Sequence, residues 1–160
     1  MKKRIMIIGP ENSENSKLVG LLENTAARYQ NIGNIVYRDE TIQVPSSYMR
    51  SPFMIKHLIT TQQKAFCILM LLNAKYEYKY RVYSSNIAKA FRVSRIGVIS
   101  VDTKNENQNV KNITKCEEEL INAGVDEIYF LDIDNNECCK DFIKKIKLVE
   151  RKMSDEYSKI

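Results

Sequence analysis

Residues 2–22 constrain the fold more than any other stretch. A basic start, Lys2-Lys3-Arg4, runs into Ile5-Met6-Ile7-Ile8 and stops at Gly9-Pro10. A short apolar, mostly β-branched run ended by Gly-Pro predicts a buried strand. Leu18, Val19, Leu21 and Leu22 then recur at helical spacing, behind Asn and Ser residues that cap helices well. The unit is strand, tight loop, helix.

Such a unit is where the phosphate-binding pattern G-x-x-x-x-G-K-[ST] occurs. Laid on it without gaps, Gly9 is the first Gly, Glu14 stands at the second, Asn15 at the Lys, and Ser16 keeps the hydroxyl. The second Gly lets the backbone aim its N–H groups at phosphates in a conformation costly for residues with a Cβ. The Lys supplies charge, and a hydrogen bond to a charged group is worth roughly 1.5–3 kcal/mol. Gly9, Ser13, Asn15 and Ser16 are therefore vestigial nucleotide contacts, and the carboxylate of Glu11 or Glu14 is expected to fill the loop's own anion site.

A chain of 160 residues with 44% apolar content predicts one domain, residues 1–152, followed by a polar tail, 153–160. The net charge of +5, from 25 basic and 20 acidic residues, is spread along the chain and reads as a mixed-charge surface rather than a nucleic-acid footprint. Cys67, Cys116, Cys138 and Cys139 form no C-x-x-C pair, and His57 is the only histidine, so no metal site is expected. Cys67 reads as a core residue; adjacent Cys138 and Cys139 leave a redox role open, and free thiols fit a reducing cytoplasm. The longest apolar run, Ala65 to Leu72, is far short of the ~20 residues that span a bilayer, and no signal peptide is expected.

Ile35 to Tyr37 and Thr41 to Val44 read as short strands, and Tyr48 to Thr61 as a helix with Pro52 near its start. Ala65 to Leu72 and Arg95 to Val101 read as strands buried on both faces, the signature of a parallel sheet. A short helix is expected over Asn86 to Arg92, a helix over Lys115 to Ala123 stopped by Gly124, and a strand over Glu127 to Leu131. Asp134-Asn135-Asn136 caps a last helix, Cys138 to Lys152. Strands alternating with helices make an α/β, mostly parallel, doubly wound sheet with helices on both faces. The loops after Ile8, Val44, Leu72, Val101 and Leu131 should share the ligand-binding rim.

Arg4-Ile5-Met6-Ile7-Ile8-Gly9-Pro10 and Leu120-Ile121-Asn122-Ala123-Gly124-Val125-Asp126-Glu127-Ile128-Tyr129-Phe130 resemble the EutP/PduV family. These are Ras-like P-loop proteins of ethanolamine- and propanediol-utilisation microcompartments. The similarity runs from Lys3 to about Leu148. It implies a Ras-like P-loop NTPase fold. Family members carry an Asp-x-Pro-Gly segment whose Asp helps hold magnesium; the match here is Gln43-Val44-Pro45-Ser46, and a neutral amide serves a hard cation poorly. Members also carry a base-gripping Thr-Lys-x-Asp; the match here is Ser100-Val101-Asp102-Thr103, with Asp102 one residue early.

Lys17 falls two positions past the motif Lys, about 200° round the helix, and reads as solvent-facing. Lys75-Tyr76-Glu77-Tyr78-Lys79-Tyr80-Arg81-Val82-Tyr83 interleaves aromatic and basic residues. It reads either as a protein-contact surface through Tyr76, Tyr78, Tyr80 and Arg81 or as a loop packed on the next helix, with nucleic acid the weaker alternative. Glu117-Glu118-Glu119 reads as a solvated helix face. Asp132 and Asp134 flank the rim, Asp134 as a helix cap.

Two functions follow. The first is a degenerate, pseudo-GTPase-like P-loop protein with no cofactor. It is cytoplasmic and microcompartment-associated, and acts by contact with shell or enzyme proteins or with itself. The alternative is an NTPase or small-molecule kinase using ATP or GTP with magnesium through altered contacts.

Overall fold

Apolar runs of the right length set out the strands. A computed structural model describes residues 2–25, 32–105 and 110–158. Strand β1 (Arg4–Ile8) is followed by helix α1 (Asn15–Leu22), a two-residue β2 (Val36–Tyr37), β3 (Thr41–Gln43) and α2 (Pro52–Thr61). Then come β4 (Ala65–Asn73), β5 (Ser94–Ser100), α3 (Val110–Ala123), β6 (Glu127–Leu131) and α4 (Asn136–Ser158). The sheet order is β2-β3-β1-β4-β5-β6, parallel throughout except for the antiparallel β2–β3 pair. The expected doubly wound α/β sheet is present.

Two-sided burial divides each central strand between two cores. Met6 and Ile8 of β1 join Ile68, Met70 and Leu72 of β4, with Leu58 of α2 and Leu120 of α3, on one face. Ile5, Ile7, Cys67, Leu69 and Leu71 face the other way, toward Leu18 and Val19 of α1 and Phe142, Ile146 and Val149 of α4. Arg4 pairs with Ala65 and Ile5 with Cys67, so Phe66 is an extra residue, a bulge that resets the alternation. Cys67 is fully buried, as expected, which raises its thiol pKa; none of the four cysteines is in a disulfide.

Several boundaries differ from expectation. The helix expected over Tyr48 to Thr61 is split into a 3-10 turn, Ser46–Arg50, and α2, because Pro52 forces Ser51 into extended backbone (φ −121°, ψ 116°). Ile87–Ala90 is one 3-10 turn. Helix α3 begins at Val110, before the expected Lys115, and stops at Gly124, whose φ of 95° suits glycine alone. Helix α4 runs past Lys152 to Ser158, and Met153 packs on the α4-side core, so the residues expected as a frayed tail are helical that far. The loop expected around Tyr29, the middle of the polar stretch 105–112, and the final two tail residues fall at least partly outside the described residues.

The carboxyl ends of β1, β3, β4, β5 and β6 open on one rim. It is laced by Val44 N–H donating to Ile7 O (3.1 Å), Ala74 N–H to Ser100 O (2.9 Å) and Val101 N–H to Leu131 O (3.0 Å).

Candidate functional site

Between β1 and α1 the chain keeps a strained turn. Asn12 and Glu14 both have left-handed backbone, φ 65° and 64°. Glu14 thus adopts the conformation that favours glycine, at a residue that carries a Cβ, with an expected penalty of about 1 kcal/mol. It sits at the N-cap position of α1 without capping it through its side chain. Gly9 is needed for space: a Cβ there would lie 2.7 Å from Ser13 Oγ and 3.0 Å from Leu71 Cβ. Ser13 is tucked beneath it, 2% exposed, with no partner for its hydroxyl.

The two loop carboxylates do not fill the anion site. Glu11 swings out to pair with Arg50 Nη2 at 2.7 Å on the surface. Glu14 turns toward β4, where its Oε1 accepts from Lys75 Nζ at 2.5 Å, while Oε2 is buried without a partner. Among the described residues no loop N–H donates to either carboxylate, so the expected self-occupancy is corrected to an ion pair. A carboxylate sharing a half-buried site with an ammonium gains more from that contact than from the partial charges of the turn. Lys17 is solvent-facing as expected, 3.8 Å from Glu14.

The lysine that reaches this loop was legible only as part of the tyrosine stretch. Lys75 lies 61 residues beyond Glu14, and only the parallel β1–β4 pairing brings them together. Asn73, at the end of β4, fixes the approach: its Nδ2 donates to Asn12 O (2.8 Å) and its Oδ1 accepts from Lys75 N–H (2.9 Å).

At the motif's lysine position Asn15 is too short to reach outward. Its Nδ2 donates to Val44 O at 3.4 Å, and its Oδ1 is buried and unpartnered. Ser16 Oγ accepts from Gln43 Nε2 at 3.4 Å, and Gln43 Oε1 accepts from Arg38 Nη1 at 2.7 Å. The hydroxyl and amide that match the family's magnesium positions are thus in contact, with a guanidinium alongside. Arg38 reaches Gln43 through the β2–β3 hairpin, a pairing sequence reasoning did not use. A cavity of about 390 Å³ lies over this group, between the loop and residues 43–46.

The matched base-binding segment has closed on itself. Asp102 Oδ1 accepts from Lys104 N–H at 3.0 Å in a local turn. Asp132, 3% exposed, is the buried carboxylate here. Its Oδ2 accepts from Thr103 N–H (3.0 Å) and Oγ1–H (2.6 Å), and its Oδ1 from Asp134 N–H (3.0 Å). Burial pushes the Asp132 carboxyl up, but the Thr103 and Asp134 donors and the charge of Lys75 together bring it below the usual carboxylate value. The cap of α4 is Asn135, whose Oδ1 accepts from Cys138 N–H (3.1 Å), rather than Asp134. Cys138 and Cys139 form that first turn; burial raises the Cys139 thiol.

The tyrosine loop alternates inward and outward side chains. Tyr83 is buried and donates to Leu71 O at 2.9 Å. Tyr78 is half-buried, accepts from Asn73 N–H at 3.1 Å and has its phenol pKa raised by burial. It is therefore an anchor of the loop; of the four residues expected at a contact surface, Tyr76, Tyr80 and Arg81 are exposed and Tyr78 is not. Tyr76 stacks edge-on against Tyr78 at 4.9 Å; Tyr80 is 83% exposed. Glu119 is no solvated helix residue. Its carboxylate accepts from Val82 N–H at 3.3 Å and clips the loop to α3, with burial raising its pKa against the pull of the Val82 and Tyr83 amides and Arg81. His57 is exposed on α2. Among the described residues no group of three His, Cys, Asp or Glu could hold a metal ion, and no helix is long and apolar enough to cross a membrane.

The family model described as ethanolamine utilisation – propanediol utilisation, PduV-EutP, matches residues 2–148. The propanediol utilization protein PduV of Citrobacter freundii is 27% identical over 128 residues, 80% of this chain and 82% of that protein. Among solved structures, a probable GTP-binding protein EngB superposes with a TM-score of 0.65 at 11% identity, over 93% of this chain and 99% of the other. The GTPase SAR1 of Encephalitozoon cuniculi, in complex with GDP, gives 0.60 at 8% identity over 98% and 82%. A bacterial selenocysteine-specific elongation factor gives 0.59 at 19% identity over 95% of this chain, which spans only 29% of the factor's length. At these identities the structural likeness establishes the fold, a Ras-like one.

Proposed function

The chain belongs to the PduV-EutP family of ethanolamine- and propanediol-utilisation proteins, and from that premise we propose that it is a degenerate, pseudo-GTPase-like member acting through protein contact. Its place is the cytoplasm, at the microcompartment of such a pathway, against shell proteins, enzymes or another copy of itself. The carrying observation is the Ser16–Gln43–Arg38 contact, in which the matched magnesium positions hold a neutral amide already bonded to a guanidinium. A hard divalent cation needs oxygen ligands and is repelled by that charge.

Two further features support the reading. Asn15 cannot deliver an ammonium to a phosphate, and Glu14 places a carboxylate at the loop's mouth. The magnesium–nucleotide complex implied by the fold therefore does not fit these residues. The alternative, an NTPase or kinase with altered contacts, draws on one observation: Lys75 stands close enough to the loop to serve as a cation delivered from another strand.

A thermal-shift panel with ATP, GTP and GDP, each with magnesium, separates the two. A ligand at 100 times its dissociation constant adds roughly 2.7 kcal/mol of stability. The proposal expects flat melting curves. A rise with any nucleotide that disappears in Lys75→Ala would favour the alternative.

A further inference from the structure

We infer that the groove between the tyrosine loop and the 3-10 turn at Ser46–Arg50 docks an acidic segment of a partner protein, which inserts one apolar side chain. The inference rests on the protein-contact reading and specifies its partner. The groove encloses about 430 Å³, walled by Met49 and Arg50 on one side, by Tyr76 and Tyr80 on the other, with Pro10 and Asn12 of the phosphate loop also lining it. That volume lies at the low end of the range of ligand-sized pockets and is ample for one apolar side chain.

Three observations identify the occupant. Tyr80 and Tyr76 present large aromatic surface, 83% and 41% exposed, at the groove's edge. Aromatic residues at a pocket mouth are the residues that anchor interfaces. Lys79 and Arg81 line the same groove and form no salt bridge among the described residues, whereas Lys75 and Arg50 nearby are paired with Glu14 and Glu11. Two exposed cations without a close ion pair, Arg81 acting only at longer range on Glu119, stand beside an apolar pocket and complement carboxylates that flank an apolar residue. The loop is also already ordered. Tyr78 accepts the Asn73 amide, Tyr76 packs on Tyr78, and Glu119 accepts the Val82 amide. A partner therefore loses little affinity to ordering it.

Nucleic acid fits less well. Glu11 lines the groove and Glu77 stands exposed on the loop, so a backbone with a charge on every nucleotide would meet carboxylates as well as cations. A peptide can place its few carboxylates opposite Lys79 and Arg81 and avoid Glu11 and Glu77.

The test is fluorescence anisotropy on the full chain with a labelled peptide Glu-Glu-Asp-Leu-Phe-Asp-Glu-Glu. Controls are its Gln/Asn twin, a twin with Ser for Leu and Phe, and a short oligouridine. The acidic apolar peptide should bind saturably and about tenfold or more tighter than either twin. Lys79→Glu, and separately Tyr80→Ser, should each weaken it about tenfold or more, with unchanged melting temperatures because both side chains are exposed. Equal binding of the Gln/Asn twin, indifference to the variants, or preference for oligouridine would overturn the inference. Magnesium GTP titrated in parallel reports separately: a melting shift there counts against the pseudo-GTPase reading, while peptide failure with a flat nucleotide response counts only against this groove.

Discussion

The phosphate loop and the tyrosine loop lie on one rim and have opposite characters. Residues 13–15 leave Ser13 Oγ, Glu14 Oε2 and Asn15 Oδ1 buried without partners, within a turn that holds two non-glycine residues at positive φ. The tyrosine loop has its inward groups bonded, at Tyr78, Tyr83 and Val82, and turns Tyr80, Lys79 and Arg81 to water. Glu11 and Glu14 of the first region are paired with Arg50 and Lys75; Lys79 and Arg81 of the second form no salt bridge among the described residues. Strain and unsatisfied polar atoms set the phosphate loop apart, whereas the tyrosine loop is a bonded scaffold with exposed aromatics, the surface proposed above for protein contact.

Substitutions sharpen that contrast. Gly9→Ala should destabilise by about 1–3 kcal/mol in urea unfolding, since the new Cβ meets Ser13 and Leu71. A neutral result would mean the loop gives way freely and is not a fixed frame. Glu119→Ala should cost about 1 kcal/mol and speed hydrogen exchange at the Val82 amide, because a half-buried carboxylate clip is lost. Unchanged exchange would break the claim that the tyrosine loop is pre-ordered. Glu14→Gly should stabilise by up to about 1 kcal/mol, as relief of the left-handed strain outweighs a part-exposed ion pair. Tyr80→Ser, in the contact loop, should stay within about 0.5 kcal/mol of wild type.

Two carboxylates give the molecule a pH signature, Asp132 on the rim and Asp126 at the opposite, amino-terminal end of β6. Asp132 and Asp126 both have pKa values below the ordinary 3.8, Asp132 through Thr103 and Asp134 donors that outweigh burial, Asp126 through Arg95. A depressed folded pKa means the unfolded chain binds more protons, so this stability is present above pH 3.8 and is lost as pH falls below it. Asp132→Asn should show a shallower acid limb in a series of urea titrations. An unchanged limb would mean that the Thr103 clasp contributes no linked protonation.

Sequence and structure agree where periodicity decides. The apolar runs of β1, β4 and β5 were readable because burial on both sides of a parallel sheet leaves unbroken apolar stretches, and the face Phe142, Ile146, Val149 of α4 because it recurs at helical spacing. The extension of α4 was not, since Met153 is followed by the polar run Ser154-Asp155-Glu156 and polar helix turns look like coil. At the site, Gly9 and Ser16 followed from motif spacing and Gln43 from the family resemblance. The pairs Lys75–Glu14 and Arg38–Gln43 did not, because each depends on which strands lie side by side. Glu11 was misplaced for a related reason: its partner Arg50 arrives only when Pro52 breaks the expected helix into a turn.

The most direct measurement is calorimetric titration of GTP with magnesium into the wild-type chain. An occupied metal position and a missing loop lysine predict no saturable heat. Saturable binding at micromolar concentration would show that the pocket still works and contradict the account.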